Sequence, residues 1–304
     1  MMDPRVSLAN TSAIAFVLLY LLLYSSVSLA RDVESCTRCH DETSEYPVLN
    51  ILQTPHASKA DGRTGFAAHG CESCHGDGSR HLEPPAEGEK RVMPTVTFRH
   101  GASPVAEQNK ACMSCHDDGQ RMHWRGSSHD AGELSCVSCH TLHVPRDPIL
   151  SADKQTGVCV TCHAQQHSES LRPSTHPLHE GLMSCSDCHN PHGSLNPSLL
   201  ARNNVNETCY SCHAEKRGPL LWEHSPVSED CTSCHQPHGS IHEPMLVTRG
   251  PQLCQQCHLG SHSSVAYGGD AITNESVFMT GKNCLNCHAQ VHGSNHPLGQ
   301  NLTR

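Results

Sequence analysis

The sequence predicts a fold of short α-helices and coil, with little or no β-sheet, wound around an interior that side chains do not fill. Three observations predict it. The 304 residues include only 11 aromatics, and Phe16, Tyr20 and Tyr24 belong to an apolar N-terminus, so eight remain for everything downstream. The 22 Gly and 19 Pro punctuate the chain and oppose long helices. No segment alternates apolar and polar residues as a half-buried strand does. The length would allow one or two domains with a sizeable core, but 20 Cys and 27 His mark a composition unlike that of an ordinary globular enzyme. The formal charge of −9 has its Lys and Arg spread along the chain, which argues against a nucleic-acid partner.

The compartment decides how the cysteines are read. Arg5 precedes a polar patch, then an apolar run from Ala13 to Tyr24, then Ser28-Leu29-Ala30 ahead of Arg31. This is the layout of a secretory signal peptide over residues 1–30. An uncleaved anchor helix over residues 12–30 is the alternative. Both export the rest of the chain. No other segment approaches a membrane-spanning length.

Every cysteine falls in the pattern Cys-x-x-Cys-His. The pairs are Cys36 and Cys39, Cys71 and Cys74, Cys112 and Cys115, Cys136 and Cys139, Cys159 and Cys162, Cys185 and Cys188, Cys209 and Cys212, Cys231 and Cys234, Cys254 and Cys257, and Cys284 and Cys287. Ten motifs account for all 20 cysteines. Zinc knuckles carry no requirement for a histidine after the second cysteine. Disulfides leave the histidines unexplained and close a very short loop. Cys-x-x-Cys-His is the attachment motif of c-type haem, in which both thiols form thioethers and the next histidine ligates iron. The proximal ligands are then His40, His75, His116, His140, His163, His189, His213, His235, His258 and His288, and ten porphyrins supply the missing core.

Seventeen histidines remain for ten distal positions. An iron with two protein ligands has no open site for substrate and only exchanges electrons. Six Met lie beyond the first two residues, none at a repeated distance from a motif, so bis-His ligation is favoured. Three stretches share a frame, with one His upstream of the first Cys and another three residues after the proximal His. They supply His129 and His143, His176 and His192, and His224 and His238. Asn190-Pro191-His192-Gly193-Ser194 and Gln236-Pro237-His238-Gly239-Ser240 make the repeat explicit. Variants of the frame at the two ends add His56, His81, His262 and His292. His69, His100, His123, His167, His179, His242 and His296 are read as surface or propionate-binding residues, with His123, His179 and His296 nearest to the chosen ligands.

Successive first cysteines lie 35, 41, 24, 23, 26, 24, 22, 23 and 30 residues apart. Such gaps leave room for a helical turn at each motif and little else. Five motifs end at His163 and five begin at Cys185, so the chain reads as pentahaem halves over residues 31–168 and 169–304, with haems stacking across the boundary. Leu82 to Lys110 and Asp270 to Lys282 have no sustained period and read as loops. Trp124 and Trp222 precede frame histidines, either packing on haem edges or partly buried as any amphipathic ring is. The sequons Asn206-Glu207-Thr208 and Asn274-Glu275-Ser276 are short enough to arise by chance.

The segment Cys185-Ser186-Asp187-Cys188-His189-Asn190-Pro191-His192-Gly193-Ser194 resembles the MtrA-like decahaem cytochromes, a family that includes the DmsE and PioA types. So do Cys209 to Pro219, Pro251 to His258 and Cys284 to Pro297. The resemblance runs from Cys36 to the C-terminus and is closest after His176. It implies a multihaem cytochrome c with bis-His ligation throughout, the distal ligands being the ten named above. The extra histidines His69, His100, His123 and His179 are not expected of the family. The resemblance further implies a periplasmic electron conduit seated in an outer-membrane β-barrel of the MtrB type, joining periplasmic electron-carrier cytochromes to an extracellular multihaem cytochrome or acceptor.

The physics agrees, because a coil-rich chain cannot span lipid bare and needs a sheath with a polar lumen. A multihaem reductase would keep one iron open and often alters the attachment motif at that haem, whereas all ten motifs here are intact. A soluble periplasmic shuttle shares the chemistry and differs only in partners. The expectation is an electron carrier without catalysis, whose haem propionates make it more acidic than −9.

Overall fold

The computed structural model describes residues 33–98, 103–258 and 283–304. The leader, His100 and His262 lie outside them, as does the loop expected over residues 270–282. The chain divides into two units between Thr97 and Phe98.

The first unit holds four short α-helices among its described residues: α1 (Val33–Thr37), α2 (Gly65–Ala68), α3 (Glu72–His75) and α4 (Ser79–Leu82). Thr64 caps α2 by accepting from the Ala67 N–H, which satisfies one of the donors a helix start leaves unpaired. The second unit contains α5 (Val105–Met113), α6 (Ser128–Ala131), α7 (Ala152–Cys159), α8 (Ala164–Ser170), α9 (Val205–Tyr210), α10 (Ser225–Glu229) and α11 (Gly250–Gln255). Helix α5 ends the coil expected over Leu82 to Lys110 early, at Val105. No strand forms among the described residues; isolated bridges such as Ser174 with Ser240 and Trp222 with Ser294 are the only β pairings. No described helix is long and apolar enough to cross a membrane.

The motifs explain where the helices stop. In the second unit the odd-numbered motifs sit on helix ends, with Cys112, Cys159, Cys209 and Cys254 in the last turns of α5, α7, α9 and α11. The even-numbered motifs open on single 3-10 turns, Cys136–Ser138, Cys185–Asp187, Cys231–Ser233 and Cys284–Asn286. The sequence reading expected one turn per motif but not this alternation.

Side chains alone do not build the interior. Among the described residues the buried apolar side chains are Trp124 and Leu246, whereas Gln108, Asn109, Thr156, Glu169, Asn206 and Thr208 are buried polar ones. Buried polar groups need partners, and here they join one motif to the next. Asn109 Nδ2 donates to Leu134 O while its Oδ1 accepts from the Cys136 N–H. Asn206 repeats this with Val227 O and the Cys231 N–H. Between these, Gln155 donates to Ile149 O and accepts from the Ser186 N–H. The third, fifth and seventh motifs are thereby clamped to the fourth, sixth and eighth.

Candidate haem-ligating histidine pairs

All ten motifs adopt the same local turn. The N–H of the motif histidine donates to the carbonyl of the first cysteine in every one, at 2.9–3.1 Å. One helical turn therefore carries both thiols and the imidazole, the arrangement a group bonded to both cysteines and ligated from one face requires.

The motifs also approach one another in a fixed order. Within the first unit, Cys71 is pushed up to about 12 by burial and by the Cys36 thiol beside it. Within the second unit, the Cys159 thiol hydrogen-bonds Cys185 and draws it down to about 6, and a like contact from Cys112 lowers Cys136. Burial and neighbouring Cys231 push Cys209 up to about 12, and burial and Cys284 push Cys254 up to about 11. First cysteines thus meet within the motif pairs one and two, three and four, five and six, seven and eight, and nine and ten. Second cysteines approach between those pairs, Cys139 near Cys162, Cys188 near Cys212 and Cys234 near Cys257. Across the second unit the two contacts alternate, so spatial order follows motif order.

Imidazoles come in pairs. His40 faces His81 in the first unit with ring centroids 5.9 Å apart. In the second unit His129 faces His163 and His140 faces His192, each at 6.1 Å. His176 faces His213 at 6.4 Å. His189 faces His238, His224 faces His258 and His235 faces His292, each at 6.1 Å. Each pair joins one motif histidine to one of the expected distal histidines. Ordinary ring packing spans about 4.5–7 Å and does not select such partners. A metal–imidazole bond of about 2.0–2.1 Å places the centres of two rings on opposite sides of one metal roughly 6.3 Å apart. The pairs fit that spacing. No group of three or more His, Cys, Asp or Glu among the described residues could hold a bare metal ion, whereas a haem iron would need only two imidazoles, its macrocycle supplying the other ligands.

Hydrogen bonds orient these rings. The Nδ1 of His75, His81, His189, His235 and His288 lies 2.7–3.1 Å from the carbonyls of Val96, Val92, Ser198, Pro244 and Asn301. The Nδ1 of His129, His176 and His224 reaches Pro191, Pro237 and Val291 at 2.8–3.1 Å, the residues just before the expected distal histidines His192, His238 and His292. Donating Nδ1–H leaves the Nε2 lone pair free for a metal. Burial pushes His192, His238 and His292 down from the usual imidazole range, favouring the neutral, ligating form. Two of the extra histidines are used differently: His179 points Nε2 at Ser170 O, and His296 accepts from the Leu298 N–H through Nδ1.

Of the remaining expected ligands, His56, His75, His116, His143 and His288 lie among the described residues and make contacts of their own. Trp124 is buried near His192, with ring centroids 6.4 Å apart, whereas Trp222 is half-buried and donates to His296 O. A cavity of about 380 Å³ beside His292 is lined by Lys216, His296 and Arg304 among others.

The sequence reading missed two carboxylates. Asp147 Oδ2 lies 2.7 Å from His140 Nδ1, and Glu169 Oε2 lies 3.4 Å from His238 Nδ1. A signal for Asp147 exists in the repeated x-Pro-x-Leu that follows three even motifs, as Asp147-Pro148-Ile149-Leu150, Asn196-Pro197-Ser198-Leu199 and Glu243-Pro244-Met245-Leu246. Glu169 has no such signal.

Known proteins are similar in sequence. The chain is 47% identical over 280 residues to the multihaem cytochrome MtrA of Shewanella baltica, covering 90% of this chain and 82% of that protein. The chain belongs to the MtrA multihaem cytochromes. In keeping with that family, residues 176–218 and 224–261 match a family signature described as a doubled CXXCH motif. Residues 71–156 match one described as cytochrome c-type protein NrfB-like. The cytochrome c-type protein NrfB of Escherichia coli is 29% identical over 149 residues, 47% of this chain and 72% of its own. That of Haemophilus influenzae is 34% identical over 150 residues, 43% of this chain and 64% of its own. This MtrA-family chain is thus a multihaem c-type cytochrome that binds its haems covalently and transfers electrons.

Proposed function

We propose that the chain is a decahaem electron conduit across the outer membrane. One haem is attached at each of the ten motifs and every iron is held between two histidines. The observation that carries this reading is the set of seven histidine pairs, each uniting a motif histidine with a histidine from outside any motif. His81, His163, His192, His213, His238, His258 and His292 thereby each gain a partner across an iron. His56, His143 and His262 remain for the irons of His75, His116 and His288. Haem supplies a one-electron couple when bound. With both axial positions filled by the protein, no substrate reaches the metal, so the chain carries electrons without catalysing a reaction.

The alternating cysteine contacts support a series arrangement in which electrons move from motif to motif. A series of carriers in an exported chain serves charge movement over distance. A coil-rich cytochrome crosses a bilayer only inside a sheath that satisfies its backbone and charges, which an outer-membrane β-barrel of the MtrB type provides. Periplasmic electron-carrier cytochromes on one side and an extracellular multihaem cytochrome on the other complete the path, and the chain works in the periplasm, associated with the outer membrane through the barrel.

The ligation is tested with His292→Ala in the haem-loaded protein. It opens the iron of His235, so about a tenth of the haem becomes high-spin when ferric and binds carbon monoxide when reduced, while the unsubstituted protein is wholly low-spin. A high-spin signal or carbon monoxide binding in the unsubstituted protein sinks the claim of ten saturated irons. The membrane role is tested by fractionation. Recovery in detergent extracts of the outer membrane together with a barrel protein is expected, and recovery in the soluble periplasm alone leaves the shuttle.

A further inference from the structure

Three of the even motifs in the second unit treat the motif histidine alike except for one atom. His189 and His235 hold Nδ1 at 2.7 and 2.9 Å from main-chain carbonyls, those of Ser198 and Pro244. His140 holds it 2.7 Å from a carboxylate oxygen of Asp147. The x-Pro-x-Leu segment supplies the acceptor in all three. In the fourth motif a shifted register brings in the side chain of its first residue, where the sixth and eighth use the backbone.

That carboxylate is fixed in place. Its Oδ1 accepts from the N–H groups of Thr141 at 3.2 Å and Ile149 at 3.3 Å, and the side chain is only 9% exposed. On the opposite side of the pair, the Nδ1 of His192 is buried without a hydrogen-bond partner. Nothing there offsets what Asp147 does to His140.

We propose that Asp147 sets a potential: its hydrogen bond to His140 holds the iron of the fourth motif at a lower reduction potential than the irons of the sixth and eighth. Hydrogen bonds to an ionised acceptor are roughly twice as strong as neutral ones, and a carboxylate on the far nitrogen of a ligating histidine raises the basicity of the ligand. A more basic imidazole stabilises ferric over ferrous iron. The exchange concerned is of one electron, with no covalent bond made or broken and the Nδ1 proton staying on His140. Glu169 acts in the same direction on His238 but more weakly. Its approach is 3.4 Å, and its other oxygen is occupied by the amides of Gln165 and Gln236. The fourth motif is then an uphill step for an electron passing along the series.

The inference rests on His140 being an axial ligand, and the experiment keeps the two apart. The protein carrying all its haems is reduced stepwise in a spectroelectrochemical cell, as the unsubstituted chain and as Asp147→Asn, which keeps an oxygen acceptor but loses the charge. About a tenth of the haem absorbance moves to higher potential in Asp147→Asn, and Glu169→Gln produces a smaller shift of equal amplitude. Asp153→Asn, which removes an exposed carboxylate bonded to Ser151 in the same segment, leaves the curve unchanged. Superimposable curves for Asp147→Asn and the unsubstituted chain at equal haem content overturn the proposal. Equal shifts in Asp147→Asn and Asp153→Asn overturn it too, in favour of charge acting through space. If Asp147→Asn fails to load its haems, the ferric unsubstituted protein decides. One low-spin signal of narrowed g spread is expected among the ten, and its absence overturns the proposal. High-spin iron in the unsubstituted protein counts against the axial ligation itself and not against Asp147.

Discussion

Asn109 and Asn206 show how single side chains position the motifs. Each is buried, and each bridges the residue that closes the preceding segment to the N–H of an even motif's first cysteine. Asn206→Ala leaves a buried N–H and two carbonyls without that partner, at a cost of about 1–3 kcal/mol for the unmet groups. Chemical unfolding of the haem-loaded protein should show that loss, and Asn206→Ala as stable as the parent would remove the clamp. The same residue shows what was legible. The ten motifs were readable because haem attachment fixes cysteine, cysteine and histidine within one turn, independent of the rest of the chain. Asn206 stood out only as part of a sequon, yet Asn206 and Thr208 are both buried, and its partners come from beyond the next frame histidine. Asp147 and Glu169 escaped for a similar reason: an acidic residue in a loop looks the same whether it faces solvent or a ring nitrogen brought to it by tertiary structure.

At the scale of an element, the Pro-His-Gly-Ser turn was legible as a repeat but its docking was not. Gly193 and Gly239 have φ of 113° and 130°, a region L side chains avoid, and a Cβ at either would run into a main-chain carbonyl from three motifs earlier, that of His123 or Glu169. The turn thus lies directly against the backbone it docks on. It also carries His192 or His238 to the iron two motifs back. Gly239→Ala must therefore displace backbone as well as adopt a strained φ. Gly126, with φ of 79°, offers a comparison because nothing lies within 4 Å of a Cβ there. Gly126→Ala should cost about 1–2 kcal/mol, the ordinary penalty for a left-handed residue. Gly239→Ala should cost more, and should expose the iron of His189 to carbon monoxide as His238 withdraws. Equal stabilities and unchanged ligation in the two variants would show that the turn is not the docking element.

At the scale of the whole chain, the shortage of aromatics takes on structural meaning. Trp124 and Leu246 are the buried apolar side chains among the described residues, too few to offset the conformational entropy of ordering so many residues. What ties the second unit together is a set of histidine pairs drawn from different frames, each pair closing a long loop of chain. His140 with His192, His189 with His238 and His235 with His292 overlap along the sequence, so loss of one frees a turn that the next depends on. The chain produced without haem attachment should therefore not reach this fold. Its far-UV circular dichroism should be that of coil, and limited proteolysis should cut it throughout residues 103–258, whereas the haem-loaded chain resists. A protease-resistant fragment spanning those residues in the haem-free chain would mean that the polar clamps and turns suffice. The fold would then precede its cofactors and not be built around them.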